Sequence, residues 1–170
     1  LVENPYSLII GDDASGRMST LMISGFVNKI YEKNDIIKPP VMFFSGSGGR
    51  HLTDAELENK SDEIAEKIKM SGTLPDLSGK VLVVTETIET GRGVLSLAKA
   101  LQKLGLHFDF LSATISMKDD ASVVSSEEVN KKSEELRFIL GAESLIYGQV
   151  GTSASNSQLG MQGVIIDHPT

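Results

Sequence analysis

The chain has no cysteine, and that removes disulfides, thiolate nucleophiles and cysteine-type zinc sites together. No apolar run approaches the roughly 18 residues a membrane helix needs, and the start LVENPYSLII lacks the basic segment and long apolar stretch of a signal peptide. A cytoplasmic protein away from membranes is therefore expected, with a start upstream of Leu1 compatible with the absence of an initial Met. Basic charge is also short. The formal net charge of −7 argues against a nucleic-acid partner, because neutralising a phosphate backbone needs a cationic face. Small phosphorylated ligands remain open, since they need one local positive pocket. The three histidines, His51, His107 and His168, show no metal-ligand spacing. There is no Gly-Lys-Ser/Thr loop, no GxGxxG after a strand and no GxSxG elbow. Internal repeats and low-complexity segments are absent as well.

What is present is an alternation of short apolar runs with amphipathic stretches. The 170 residues suffice for one domain, 1–170, that buries roughly 70% of its unfolded surface. SLIIG (7–11), PPVMFFS (39–45), KVLVV (80–84), FDFLSATIS (108–116) and SLIYG (144–148) read as strands. Helices are expected over 18–34, with Leu21, Met22, Phe26 and Ile30 inward, and over 54–70, 94–105 and 125–141. Thr53 with Glu56, and Ser125 with Glu128, have the spacing of capping boxes, and Gly105 reads as a helix stop. Leu57, Ile64 and Ile68 form a narrow apolar stripe, so the second helix is expected to be peripheral or mobile. The segment from Gln149 to Thr170 stays unassigned apart from the apolar GVII at 163–166. Strands apolar on both faces, separated by helices, imply an α/β fold: a mostly parallel central sheet with helices on both faces. Ligands of such sheets bind at the carboxyl ends of the strands, which points to the loops 12–17, 45–52 and 86–93.

The loop ETIETGRG at 86–93 combines tight-turn glycines with the start of a helix. Exposed amides, the positive helix end, the Thr90 hydroxyl and Arg92 would together suit a phosphate. The same residues also make an ordinary strand-to-helix turn with Thr90 as N-cap and Glu89 in solvent. DDASGR at 12–17 is likewise a turn between a strand and a helix: Ser15, Gly16 and Arg17 carry hydroxyl, backbone and guanidinium donors, or Asp12 or Asp13 simply caps the helix. In SGSGGRH at 45–51, Arg50 and His51 could meet phosphate or lie idle at the surface.

VLVVTETIETGRG (81–93) resembles the phosphoribosyl-diphosphate signature of type I phosphoribosyltransferases. Val81 to Val84 match the strand, and Glu86, Ile88, Thr90 and Gly91 match in type and order. The resemblance implies a phosphoribosyltransferase-like fold and a magnesium-dependent exchange of the diphosphate of phosphoribosyl diphosphate for a nitrogenous base, purine-type slightly favoured, or the reverse reaction from a nucleoside 5′-monophosphate. It implies that Asp13, Ala14, Ser15, Gly16 and Arg17 hold the diphosphate. Thr85, Glu86, Thr87 and Ile88 would be substrate-binding, and Glu89, Thr90, Gly91, Arg92 and Gly93 would grip the 5′-phosphate. Glu86 would hold ribose and, through water, Mg2+, with Asp12 and Asp13 near the same ion. Glu89 would be the general acid/base at the ring. A homodimer is compatible with this reading. Thr85 stands where the family has an acid, Thr87 where it has an aliphatic residue, and Gly93 where it has a hydroxyl donor. Thr85 leaves open a non-catalytic domain that binds phosphoribosyl diphosphate or a nucleotide. A different α/β nucleotide-binding domain is the third possibility.

Overall fold

A computed structural model of the chain describes residues 2–12, 16–45, 52–72, 79–117 and 125–152. The elements run β1 (Tyr6–Asp12), α1 (Arg17–Lys33), β2 (Val41–Phe44), α2 (Asp54–Met70), β3 (Lys80–Ile88), a 3-10 turn (Arg92–Val94), α3 (Leu95–Lys103), β4 (Phe108–Met117), α4 (Ser126–Leu140) and β5 (Ser144–Thr152). The strands form one five-stranded sheet in the order β2-β1-β3-β4-β5, and each neighbouring pair is parallel. The expected α/β class with a parallel sheet is what the chain adopts.

Two apolar clusters flank the sheet. Leu8, Ile10, Val81, Val83, Phe108 and Phe110 meet α2, α3 and α4 through Ile64, Ile68, Leu97, Leu101, Leu136 and Leu140. On the other face, Tyr6, Ile9, Leu82 and Val84 meet Val27 and Tyr31 of α1. Strands covered on both faces carry continuous apolar runs, as β1 and β3 do, whereas the edge strands β2 and β5 are only partly buried.

Local signals act as expected. Thr53 and Ser125 are N-caps, each in a reciprocal capping box with Glu56 and Glu128 respectively. Gly105 and Gly141 take positive φ just past α3 and α4, the left-handed exit a glycine permits at little cost. Far from lying at the periphery, α2 takes up 17 residues of the stretch 45–79 and packs into the core. It buries Leu57, Ser61, Ile64, Ala65 and Ile68, and Glu58 and Asp62 pair with Lys99 and Lys103 of α3. Its stripe is narrow because α3 lies beside it.

Three expectations change. First, α1 turns another face to the sheet. Thr20, Ser24, Val27 and Tyr31 are buried, whereas Met18, Leu21, Met22 and Phe26 are 70%, 50%, 72% and 61% exposed. The cause is close approach. A Cβ on Gly11 would stand 2.5 Å from the Thr20 hydroxyl, so α1 sits too near β1 for large side chains at its N-terminal half. Thr20 fits because its hydroxyl donates to the Gly16 carbonyl at 2.6 Å.

Second, β3 does not end at Val84. It continues to Ile88, with Thr85, Thr87 and Ile88 in register with Ser112, Thr114 and Ile115 of β4. Third, β5 runs on to Thr152 beside Met117. In these extensions the inside–outside alternation slips by one residue. Val83 and Ile88, and likewise Phe110 and Ile115, belong to the same apolar cluster although an odd number of positions separates them. A regular strand would place them on opposite faces. Neighbouring strands slip together, so register is kept.

Candidate functional site

In the order 2-1-3-4-5, the chain leaves β1 in one direction, to β2, and then crosses back to β3. The crevice at the carboxyl ends of β1 and β3 is the switch point where open α/β sheets bind ligands. The two segments singled out from the sequence leave these two strands.

After β1, Asp12 is 3% exposed, and its carbonyl accepts from the Gly16 amide at 2.7 Å. Gly16 is the N-cap of α1 and has no side chain with which to cap it. Its backbone lies against β3: an added Cβ would stand 2.8 Å from the Val84 carbonyl oxygen and 3.1 Å from the Thr85 Cα. Arg17 opens α1, its guanidinium carbon 4.8 Å from the centre of the Phe43 ring. That cation–π contact holds a positive charge at the carboxyl end of β2. Phe43 carries no sequence signal for such a role, since an aromatic in a short apolar strand reads as core. Asp13, Ala14 and Ser15, like Arg50 and His51, lie outside the described residues.

Thr85, Glu86, Thr87 and Ile88 are strand residues rather than loop residues. Thr85 is 1% exposed, and among the described residues its hydroxyl has no hydrogen-bond partner. Glu86 and Thr87 are both exposed, and Ile88 is buried. Consecutive exposure at 86 and 87 follows from the slip in alternation. Beside them Ser112 is fully buried, its hydroxyl donating to the Thr114 carbonyl at 2.8 Å. Ser112 carries no sequence signal, because one serine in an apolar strand has no local signature.

The turn itself covers Glu89 to Gly91. Gly91 has φ 75°, and an added Cβ would lie 3.5 Å from Leu136 and from Leu140, so the turn packs on α4. The Thr90 hydroxyl accepts from the Arg92 amide at 3.3 Å, and the Gly91 carbonyl accepts from the Val94 amide at 3.1 Å. The amides of Arg92 and Val94, just past the turn, are thus engaged, and the N-cap of the 3-10 turn is Gly91, with no side-chain bond to it, rather than the expected Thr90. Arg92 points toward the start of α2: Nη2 donates to the Leu52 carbonyl at 2.9 Å and lies 3.8 Å from Asp54 Oδ1. It ties the turn after β3 to the segment entering α2. Glu89 is half-buried and has a bonding partner. Gly93 is half-buried, with open space where a Cβ would be.

Among the described residues no three His, Cys, Asp or Glu side chains gather into a metal-binding group. Mg2+ commonly takes one or two carboxylates and completes its shell with water and substrate phosphates. Exposed Glu86, in the segment beside the β1 carboxyl end, fits that pattern. Such an ion would depend on a phosphorylated ligand for much of its coordination.

The class these observations define is a parallel α/β sheet with its candidate site at the β1/β3 switch point. No protein-family model matches the chain, and no curated protein or solved structure does either. Among the described residues no helix is long and apolar enough to cross a membrane.

Proposed function

We propose that the chain binds phosphoribosyl diphosphate, or a nucleoside 5′-monophosphate, between the β1 and β3 carboxyl ends and acts as a magnesium-dependent phosphoribosyltransferase. The observation that carries this reading is the packing of Gly16 against Val84 and Thr85. It brings the segment suited to a diphosphate against the segment that resembles the phosphoribosyl-diphosphate signature. Arg17 and the start of α1 supply positive charge on the diphosphate side. Glu86, exposed and uncapped by the core, would meet ribose hydroxyls and water on the metal. Glu89 would relay a proton at the ring nitrogen. In the reaction the bond from C1′ to a diphosphate oxygen breaks while the bond from C1′ to a base nitrogen forms. Little covalent help is needed; positioning and charge neutralisation dominate. The 5′-phosphate would sit at the Thr90–Gly91 turn, where it would compete with Thr90 for the Arg92 amide. A cytoplasmic setting accords with such a substrate.

Thr85 favours a second reading, a domain that binds the same ligand without turning it over. A buried hydroxyl in the place of an acid removes one of the charges that would hold ribose and metal. Calorimetric titration with phosphoribosyl diphosphate and Mg2+, beside an NMR turnover assay over the common bases, separates the two. Turnover lost in Glu86→Gln supports the transferase. Binding with no turnover on any base supports the sensor. No binding of phosphoribosyl diphosphate or of any nucleoside monophosphate sinks both.

A further inference from the structure

The face of α1 turned away from the sheet is apolar, the reverse of what a helix at a protein surface normally shows. Met18, Leu21, Met22 and Phe26 are each at least half exposed. From Met18 to Asn28 the chain contains no charged residue, and an added Cβ on Gly25 would meet nothing within 4 Å. We infer that this face is the interface of a symmetric homodimer, with the two-fold axis passing at Met22.

The arrangement of sizes about Met22 points to a second copy rather than an unrelated partner. Met18 lies four residues before it and Phe26 four after, both large. Ser19 lies three before and Gly25 three after, both small. A two-fold axis at Met22 runs the helices antiparallel. It sets Met18 on Phe26 of the second copy, Phe26 on its Met18, Met22 on its Met22, and Gly25 opposite its Ser19. Large residues then meet large ones at both ends, and the small pairs let the backbones approach, the reciprocal contact an isologous interface requires.

The area is adequate. Large side chains of this kind present roughly 150–250 Å² each, so the four at their observed exposure offer on the order of 500 Å². Two copies would cover about 1,000 Å² from this stripe alone, the threshold for a specific interface, before its polar rim is counted. Charge favours the same occupant. Each chain carries −7, so two copies repel through most surfaces, and the uncharged face of α1 lets them meet without opposing carboxylates. The same net charge disfavours an anionic membrane as the partner.

The test is independent of what binds at the strand ends. Sedimentation of the chain should give twice the monomer mass. Met22→Lys places two like charges at the axis and should raise the dissociation constant on the order of 100-fold, with an unchanged far-ultraviolet circular dichroism spectrum. Because the chain has no cysteine, Met22→Cys introduces a single thiol. It should oxidise to a covalent dimer, whereas Lys69→Cys on α2 should not. A wild-type monomer at the highest attainable concentration overturns the proposal. So does a dimer that Met22→Lys leaves intact and Met22→Cys fails to cross-link, or a monomer that co-sediments with phosphatidylserine vesicles through Met22.

Discussion

Gly16 and Val84 are in backbone contact: a single methyl on Gly16 would come within 2.8 Å of the Val84 carbonyl oxygen. The obstacle is main chain on both sides, with the Asp12 carbonyl oxygen at 3.0 Å as well, so no side-chain rotation relieves it. Gly16 has φ −94°, a value open to any residue, and the requirement for glycine there is purely one of space. Gly16→Ala should therefore destabilise the fold by about 1–3 kcal/mol through overpacking. Chemical denaturation would read this, and ligand affinity should fall with it because the segment after β1 is pushed off β3. An unchanged midpoint would mean that the two segments do not meet.

Gly91 presents the opposite case. Its φ of 75° is left-handed, while the nearest side chains would be in ordinary contact with an added Cβ. The expected cost of Gly91→Ala is conformational, about 1–2 kcal/mol, and Gly91→Asn should recover part of it because Asn tolerates this region. Equal losses for Ala and Asn would show that crowding against α4 decides instead.

Thr85 buries a hydroxyl with no partner among the described residues. Thr85→Val keeps the shape and removes the unsatisfied group, so it should be neutral or stabilising by about 1 kcal/mol. Thr85→Asp, which would supply the acid that the phosphoribosyl-diphosphate signature has at that position, must bury a charge and should destabilise by several kcal/mol or titrate with a raised pKa. Denaturation of both variants at neutral pH tests the pair. A stable Thr85→Asp would mean that the carboxylate reaches solvent or a cation.

At the other end of the sheet, Lys80 pairs with Glu143 at 2.6 Å and with Asp109 at 3.2 Å, and Tyr6 donates its hydroxyl to Asp109 at 2.9 Å. The hydrogen bond from Lys80 holds Glu143 below the usual carboxylate range, reinforced by His107 against some burial. A lowered folded pKa means stability present above the unfolded value, near 4.3, and lost as pH falls through the folded one. For Lys80, burial opposes the charge but is outweighed by its bonds to Glu143 and Asp109, leaving it raised. Burial, then the Asp109 charge, raises Tyr6 as well. Both contribute below their unfolded values, about 10, and lose that contribution as pH rises through the folded ones. Stability should be flat between these limits and decline outside them. In Lys80→Met the acid decline should shrink, which thermal melts across pH would show. An identical acid limb would remove Lys80 from the account.

Much of the architecture was legible because its causes are local. The capping boxes at Thr53 and Ser125, the left-handed exit at Gly105 and the apolar runs of the strands are each set by neighbours in the chain. So was the pairing of two glycine-bearing segments with two strand ends, once the sheet was read as parallel. The face of α1 was not legible. Leu21, Met22 and Phe26 are more hydrophobic than Thr20 and Ser24, and any periodicity argument turns them inward. The end of β3 escaped for a similar reason: Thr85 to Thr87 look like a polar loop until Ser112 and Thr114 of β4 supply hydrogen-bonding partners.

The sequence by itself determined the order of the elements, their capping boxes and which two segments carry glycine turns after strands, since these depend on propensity and on what each stretch must bury. Tertiary structure decided which residues of those segments are available. The closeness of α1 to Gly11 sends Thr20 inward and Met22 outward. The slip shared by neighbouring strands exposes Glu86 and Thr87 together, and the reach of Arg92 to Leu52 is a contact between residues 40 apart. Distances of that kind are fixed by packing between elements, which no local pattern encodes.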